Sequence, residues 1–210
     1  MIKSINKSTI LLFCIELFLG NTSTLAQDSI QSVKIGSQIW MTENLNVDHY
    51  HNGDSIPEVK IQSEWRNLKT GAWCYYKNDV DNGKKFGKLY NWFAVNDPRG
   101  LAPKGWHIPT RNELLDLQSA INDNSNKLKK IDEGSGLGVG TNLSGFSALL
   151  GGYRGYYGYF YYLGYDSYLW SSSEGLAPFA SSMYIYGSGS YLFFYDFDKV
   201  YGFSVRCIKD

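Results

Sequence analysis

Apolar and polar positions change rhythm several times along the chain, and each rhythm predicts a different element. Val33-Lys34-Ile35 and Gln38-Ile39-Trp40-Met41 flank Gly36-Ser37, the pattern of two short strands about a tight turn. Residues 46–61 carry Gly53-Asp54 and Pro57 without periodicity and read as a loop. A short helix is predicted over residues 63–68, and Thr70-Gly71 then gives way to a strand over residues 72–76. Residues 77–85 are polar and read as an acidic loop, whereas residues 89–95 are helix-compatible until Asp97-Pro98-Arg99-Gly100 ends them.

The clearest local signal is Ile108-Pro109-Thr110-Arg111-Asn112-Glu113. Thr110 can cap the first free amides and Glu113, three residues on, can reach back, which makes a capping box. Leu114, Leu117 and Ile121 follow at helical spacing with Leu115 beside them, so a helix is predicted over residues 111–121. Residues 122–142 are rich in Asn, Asp, Lys and Gly and read as a long surface connection with one helical turn near residues 126–131. Beyond it come strands over residues 169–172, 183–186, 191–197 and 201–208. In the last of these Phe203, Val205 and Cys207 alternate with Ser204 and Arg206, which predicts one buried and one exposed face. Helices precede a run of strands, so the fold class is α+β, mainly antiparallel, with two principal helices and long loops.

The first residues read differently. Lys3 and Lys7 precede an apolar stretch from Ile10 to Leu19, interrupted by Glu16, and Thr24-Leu25-Ala26 closes a polar region. This is a signal peptide with cleavage after Ala26, which points to a secreted or cell-envelope protein. Cys14 is a poor lipidation site because Phe13 precedes it and the apolar run before it is short. Residues 27–31 form a short leader, and the domain occupies residues 32–209. Of the three cysteines, Cys74 and Cys207 remain after cleavage. In an oxidising compartment a disulfide between them is the simpler expectation, with two buried free thiols as the alternative.

The chain has 210 residues, 20 basic and 20 acidic, with 43% hydrophobic positions. That is a globular composition without a membrane-length apolar run, so an integral membrane protein is not expected after signal removal. Formal neutrality removes the attraction that drives phosphate-backbone binding, so nucleic acid is not an expected partner. The bias is aromatic, with 17 Tyr, 11 Phe and 6 Trp beside 22 Gly. Eight tyrosines fall between Gly151 and Tyr168, among five glycines. Rings with a wet hydroxyl stack on sugar faces or peptide side chains at low entropy cost. Tyr156, Tyr157, Tyr159 and Tyr161 are therefore the expected ligand-binding face, with Tyr153 buried beneath. Arg154 is expected either to orient an anionic group or to pair with Glu174.

Seven strings occur in order: Trp40-Met41-Thr42-Glu43-Asn44-Leu45, Gly87-Lys88-Leu89-Tyr90-Asn91-Trp92, Gly105-Trp106-His107-Ile108-Pro109-Thr110, Gly145-Phe146-Ser147-Ala148-Leu149, Gly151-Gly152-Tyr153-Arg154, Leu169-Trp170-Ser171-Ser172-Ser173-Glu174 and Gly202-Phe203-Ser204-Val205-Arg206-Cys207. Together they resemble the Fibrobacter succinogenes major paralogous domain family over about residues 32–209. The resemblance implies a secreted or surface protein with a fold related to C-type-lectin-like domains and to the formylglycine-generating enzymes, with no activity assigned. Two departures stand out. Ala102-Pro103-Lys104 occupies a place where Cys-Pro is common, and Leu150 one where Pro is common.

Catalytic constellations are sparse. The formylglycine-generating relatives need a reactive cysteine pair, and Cys74 and Cys207 are better spent on a bridge. Ser171-Ser172-Ser173-Glu174 lacks a nucleophile elbow and reads as a hydroxyl-rich strand. His49 and His51 with Asp48 could bind a metal and assist hydrolysis, but no third ligand stands at standard spacing. His107 reads as a packed histidine holding a turn. The tripeptides of calcium-dependent lectins are missing, and Asp79 and Asp81 are expected to be solvated more readily than bound to calcium. The expectation is a non-enzymatic, cofactor-free and metal-free binding module for a glycan or extracellular protein. A self-assembling surface protein is the second reading, and a metal-assisted hydrolase the third.

Overall fold

The computed structural model describes residues 30–210, so the expected signal peptide and the start of the leader lie outside the described residues. The chain opens with β1 (Ser32–Ile35) and β2 (Gln38–Met41), paired antiparallel with Ile35 opposite Gln38, the hairpin its alternation predicts. Then come α1 (Gln62–Trp65), β3 (Trp73–Cys74), α2 (Val80–Phe86), β4 (Leu89–Tyr90), α3 (Trp92–Val95), β5 (Trp106–His107) and α4 (Arg111–Ala120). The second half supplies β6 (Gly151–Arg154), β7 (Phe160–Leu163), β8 (Asp166–Glu174), β9 (Phe179–Tyr186), β10 (Leu192–Asp198) and β11 (Ile208–Lys209). The class is α+β, as expected.

Two differences from the sequence reading have local causes. Residues 80–86 are helical because Asp79 caps them, its Oδ1 accepting from the Asp81 amide at 2.8 Å. The stretch over residues 89–95 is divided: Leu89 and Tyr90 pair with Cys74 and Trp73, and Asn91 then caps α3 through the Ala94 amide. The predicted capping box is present. Thr110 accepts from the Glu113 amide, and Glu113 Oε2 accepts from the Thr110 amide at 2.8 Å.

The strands form a five-stranded sheet in the order β10-β9-β8-β6-β7 and a four-stranded sheet in the order β1-β2-β11-β5, with β3 and β4 as a separate pair. Tyr168, Trp170 and Ala180 of the larger sheet pack with Trp92, Phe203 and Val205. Leu169, Met183, Ile185 and Leu192 form a second cluster with Leu114 and Leu117 of α4 and with Ile121 at its end. A third cluster gathers Trp65, Cys74, Tyr76, Leu89 and Val200. Indole N–H groups in the first of these clusters find partners, Trp170 donating to Tyr90 O and Trp92 to Ser171 O, both at 2.9 Å, whereas the buried Trp65 Nε1 in the third has none among the described residues.

The segment before β11 departs from simple alternation. Ser204 and Arg206 are as buried as Phe203 and Val205, because this stretch threads between sheets and makes single bridges to β4, β6 and β8. The connection between α4 and β6 is also more firmly held than a surface loop. Lys129 is fully buried, and its Nζ donates to Tyr186 O at 2.9 Å and Gly189 O at 2.8 Å. Burial pulls its pKa down to about 8, against the opposing charge of Asp166.

Candidate functional site

β6 and β7 are the arms of the tyrosine-rich hairpin, with Tyr153 opposite Tyr161 and Arg154 opposite Phe160. Gly155 donates to Tyr159 O and Gly158 to Gly155 O, both at 2.8 Å, so the backbone itself closes the tip. Gly158 has φ +82, and a Cβ there would stand 2.9 Å from Gln62 O; the tip thus rests on the start of α1. Lower down, Gly152 (φ +63) faces Tyr162 (φ +60) across the hairpin. A left-handed tyrosine is an uncommon and strained conformation. Its consequence is visible in the rings. Tyr161 and Tyr162, adjacent in sequence and due on opposite faces of a regular strand, both lie against Tyr153, with centroids 5.3 and 5.9 Å away.

The structure keeps three of the four expected contact tyrosines at the surface. Tyr157, Tyr159 and Tyr161 are 58, 55 and 42% exposed. Tyr156 is half-buried, packed on the cluster around Trp65 and edge-on to Tyr157 at 5.1 Å, because it points back under the tip. Tyr153 is half-buried rather than buried, at the junction of Tyr161, Tyr162, Tyr168, Tyr201 and Phe203. Burial pushes its hydroxyl up to about 12.

Arg154 requires a correction: its guanidinium is spent on the protein's own carbonyls, so it backs the ligand-facing surface rather than forming it. The side chain is 0% exposed and lies between the rings of Trp65 and Phe160, 4.4 and 4.9 Å from their centroids. Its guanidinium donates to Gly158 O at 3.0 Å, Val59 O at 2.6 Å and Lys60 O at 3.0 Å. It therefore ties the hairpin tip to the segment before α1, and Glu174 pairs with Lys199 instead.

Two adjoining clefts open on this frame. One, about 430 Å³, lies between Gln62, Ser63, Arg66, Tyr157 and Tyr159. The other, about 610 Å³, is lined by Lys60, Lys77, Asn78, Tyr159 and Tyr161 among others. Tyr159 belongs to both. Lys77 and Asn78 are themselves left-handed, with φ 55 and 56, and Asn78 Oδ1 is inaccessible and accepts no hydrogen bond in the structure. Asn78 Nδ2 donates to Lys60 O at 3.3 Å, so the amide is oriented although its oxygen is unused. Composition alone pointed to the tyrosines, but nothing in the sequence marked Asn78 or Gln62 as their neighbours.

The remaining candidates are dispersed. His49 Nδ1 is 2.6 Å from Asp48 Oδ1 and its Nε2 is 3.1 Å from Ser55 Oγ, while His51 lies against Gly100. Among the described residues no group of three His, Cys, Asp or Glu side chains is placed to hold a metal ion. His107 does hold a junction, bridging Glu113 at 2.9 Å and Asp210 at 2.8 Å. Burial opposes its charge, but the two carboxylates outweigh it and raise its pKa. Asp79 is used as a helix cap and Asp81 pairs with Lys84 at 2.8 Å. Ser173 Oγ accepts from the Arg111 amide at 2.9 Å, a further tie at the start of α4.

The expected disulfide is the second correction. Cys74 and Cys207 are both free and buried. They sit in different clusters of the core, Cys74 beside Trp65 and Leu89 and Cys207 beside Tyr90 and Val205. Burial pushes both thiols up to about 12, in the case of Cys74 despite the nearby Arg154 charge. Such thiols are packing groups rather than nucleophiles.

The sequence model of the Fibrobacter succinogenes major domain matches residues 33–209. The chain belongs to that family. No curated protein and no solved structure matches it. In this member of the Fibrobacter succinogenes major domain family, Leu150 uses a freedom that proline would lack, since its amide donates to Glu133 Oε2 at 3.3 Å. Among the described residues no helix is long and apolar enough to cross a membrane.

Proposed function

We propose that this family member is an exported, non-enzymatic binding module that holds a glycan on its tyrosine hairpin. The observation that carries the reading is the exposed Tyr159 ring, shared by two adjoining clefts whose other walls offer Gln62, Ser63, Arg66 and Lys77. Aromatic faces take the apolar side of a sugar ring, and fixed amides and hydroxyls select its hydroxyl groups. Arg154 supplies rigidity, which limits the ordering cost of binding. Export rests on the composition of residues 1–26. A C-type-lectin-like architecture is supported by the pairing of first and last elements, with Ile208 opposite Trp40, and by the long loops inserted between them.

The test is a glycan array probed with the full-length protein, with and without calcium, beside a Tyr157→Ala/Tyr159→Ala/Tyr161→Ala variant. Specific binding lost in the variant is the expected result. Wild-type binding by the variant would remove the site.

A second reading, assembly with other copies, has its own observation. β10 is an edge strand of the larger sheet, and Tyr191 and Tyr195 are exposed along a continuous aromatic row with Phe193 and Tyr184. Concentration-dependent association in sedimentation, without glycan affinity, would favour it over the first.

A further inference from the structure

Away from the hairpin, a cleft of about 460 Å³ opens where the segment after β2, the end of α2 and residues 147–149 meet. Arg206 contributes to its lining although the residue is only 2% exposed. A guanidinium removed from water needs both hydrogen bonds and counter-charge in place of its hydration. The hydrogen bonds are present. Nε and Nη2 donate to Asn44 Oδ1 at 3.1 and 2.8 Å, Nη1 donates to Phe146 O, and the Phe146 ring lies 4.2 Å from the cation.

The counter-charge is missing, for among the described residues Arg206 forms no ion pair. Burial pulls its pKa to about 9, with Glu43 opposing, so the group stays charged at neutral pH. Lys84, Lys85 and Lys130 line the same cleft, against Glu43 as the only carboxylate in its lining. Lys84 is paired with Asp81, whereas Lys85 and Lys130 form no ion pair among the described residues.

The wall opposite α2 is built with some strain. Ser147 has φ 58, a left-handed conformation held by reciprocal bonds with Asn142, its amide donating to Oδ1 and its Oγ accepting from Nδ2, both at 2.8 Å. Phe86 and Leu149 add apolar surface, and the volume exceeds what a bare oxyanion fills. We propose that this cleft binds a small organic carboxylate, the anionic group approaching Arg206 between Lys85 and Lys130 and the carbon body lying against Phe86 and Leu149. The site is separate from the tyrosine clefts and does not depend on their function.

Isothermal titration of the full-length protein with glucuronate, citrate and glutamate, beside glucose and sulfate, tests this. At least one carboxylate is expected to bind, more weakly at higher salt, with glucose at least tenfold weaker. Arg206→Met risks unfolding, so the decisive variant is Lys85→Ala/Lys130→Ala, on two exposed rim positions. It should lose affinity tenfold or more with unchanged thermal stability, whereas the triple tyrosine variant should bind as wild type. Silence from all three carboxylates, or undiminished binding by the lysine variant, would overturn the proposal. Sulfate binding as tightly as the best carboxylate would overturn its organic part and leave a plain oxyanion site.

Discussion

Replacing Arg154 separates what holds the tyrosine hairpin from what touches a ligand. Among the described hydrogen bonds, Val59 O and Gly158 O have the guanidinium as their partner, whereas Lys60 O also accepts from Asn78. Arg154→Ala thus orphans two buried carbonyls at roughly 1–3 kcal/mol each and leaves Trp65 and Phe160 facing a void. The gain from no longer burying a charge offsets part of this. A net loss of about 4 kcal/mol is expected for Arg154→Ala and about 2 kcal/mol for Arg154→Lys, whose single ammonium cannot span three carbonyls at once. Denaturant unfolding followed by tryptophan fluorescence measures both, with hydrogen exchange across residues 155–161 as a local readout. Arg154→Lys equal to wild type, or Arg154→Ala costing under about 1 kcal/mol, would refute the clamp.

Gly152→Ala should cost about 3 kcal/mol or more, because its Cβ would stand 2.3 Å from Tyr161 O in a left-handed conformation; an unchanged melting temperature would show the β6–β7 contact to be loose. Differential alkylation with mass spectrometry should leave Cys74 and Cys207 unlabelled in the native protein and label both after denaturation without reductant; protection in both states would restore the disulfide. Stability should fall above about pH 9, because the unfolded chain releases thiol and phenol protons near ~8.5 and ~10 while the buried thiols hold theirs to about 12 and Tyr90 holds its own well above the ordinary value. Lys129 acts in the opposite direction from about pH 8 and Arg206 from about pH 9, but these two cations are outweighed by two thiols and the several buried tyrosines. Denaturation midpoints that stay level or rise from pH 9 to 10.5 would contradict that balance.

What was legible in the sequence was mostly local. The Thr110 and Glu113 box needs partners three residues apart, and the β1–β2 hairpin pairs residues no more than nine apart, so pattern alone sufficed. α2 was hidden because Gly83 lies in its middle and Phe86 is its one large buried anchor, which leaves no periodicity to detect. Arg154 was misjudged because its acceptors at Val59 and Lys60 are more than ninety residues away in the chain. The same limit explains Arg206, whose partner Asn44 stands 162 positions earlier, and Ser204, buried by a strand it meets only at single bridges. Family resemblance identified the family, whose model matches residues 33–209, but carried no contact information, so it could not reveal that both cysteines stay apart.

The hairpin tip is secured by one side chain and by main-chain atoms: the Arg154 guanidinium on three carbonyls, the Gly155 and Gly158 amides, and the contact of Gly158 with Gln62. The side chains of Tyr157 and Tyr159 add little to that fastening and stand mostly in solvent, whereas Tyr161 is 42% exposed and also packs on Tyr153. Exchange of Tyr157 and Tyr159 therefore leaves the hairpin's shape intact at small energetic cost. A lineage can rewrite what this tip recognises one ring at a time, without passing through an unfolded ancestor.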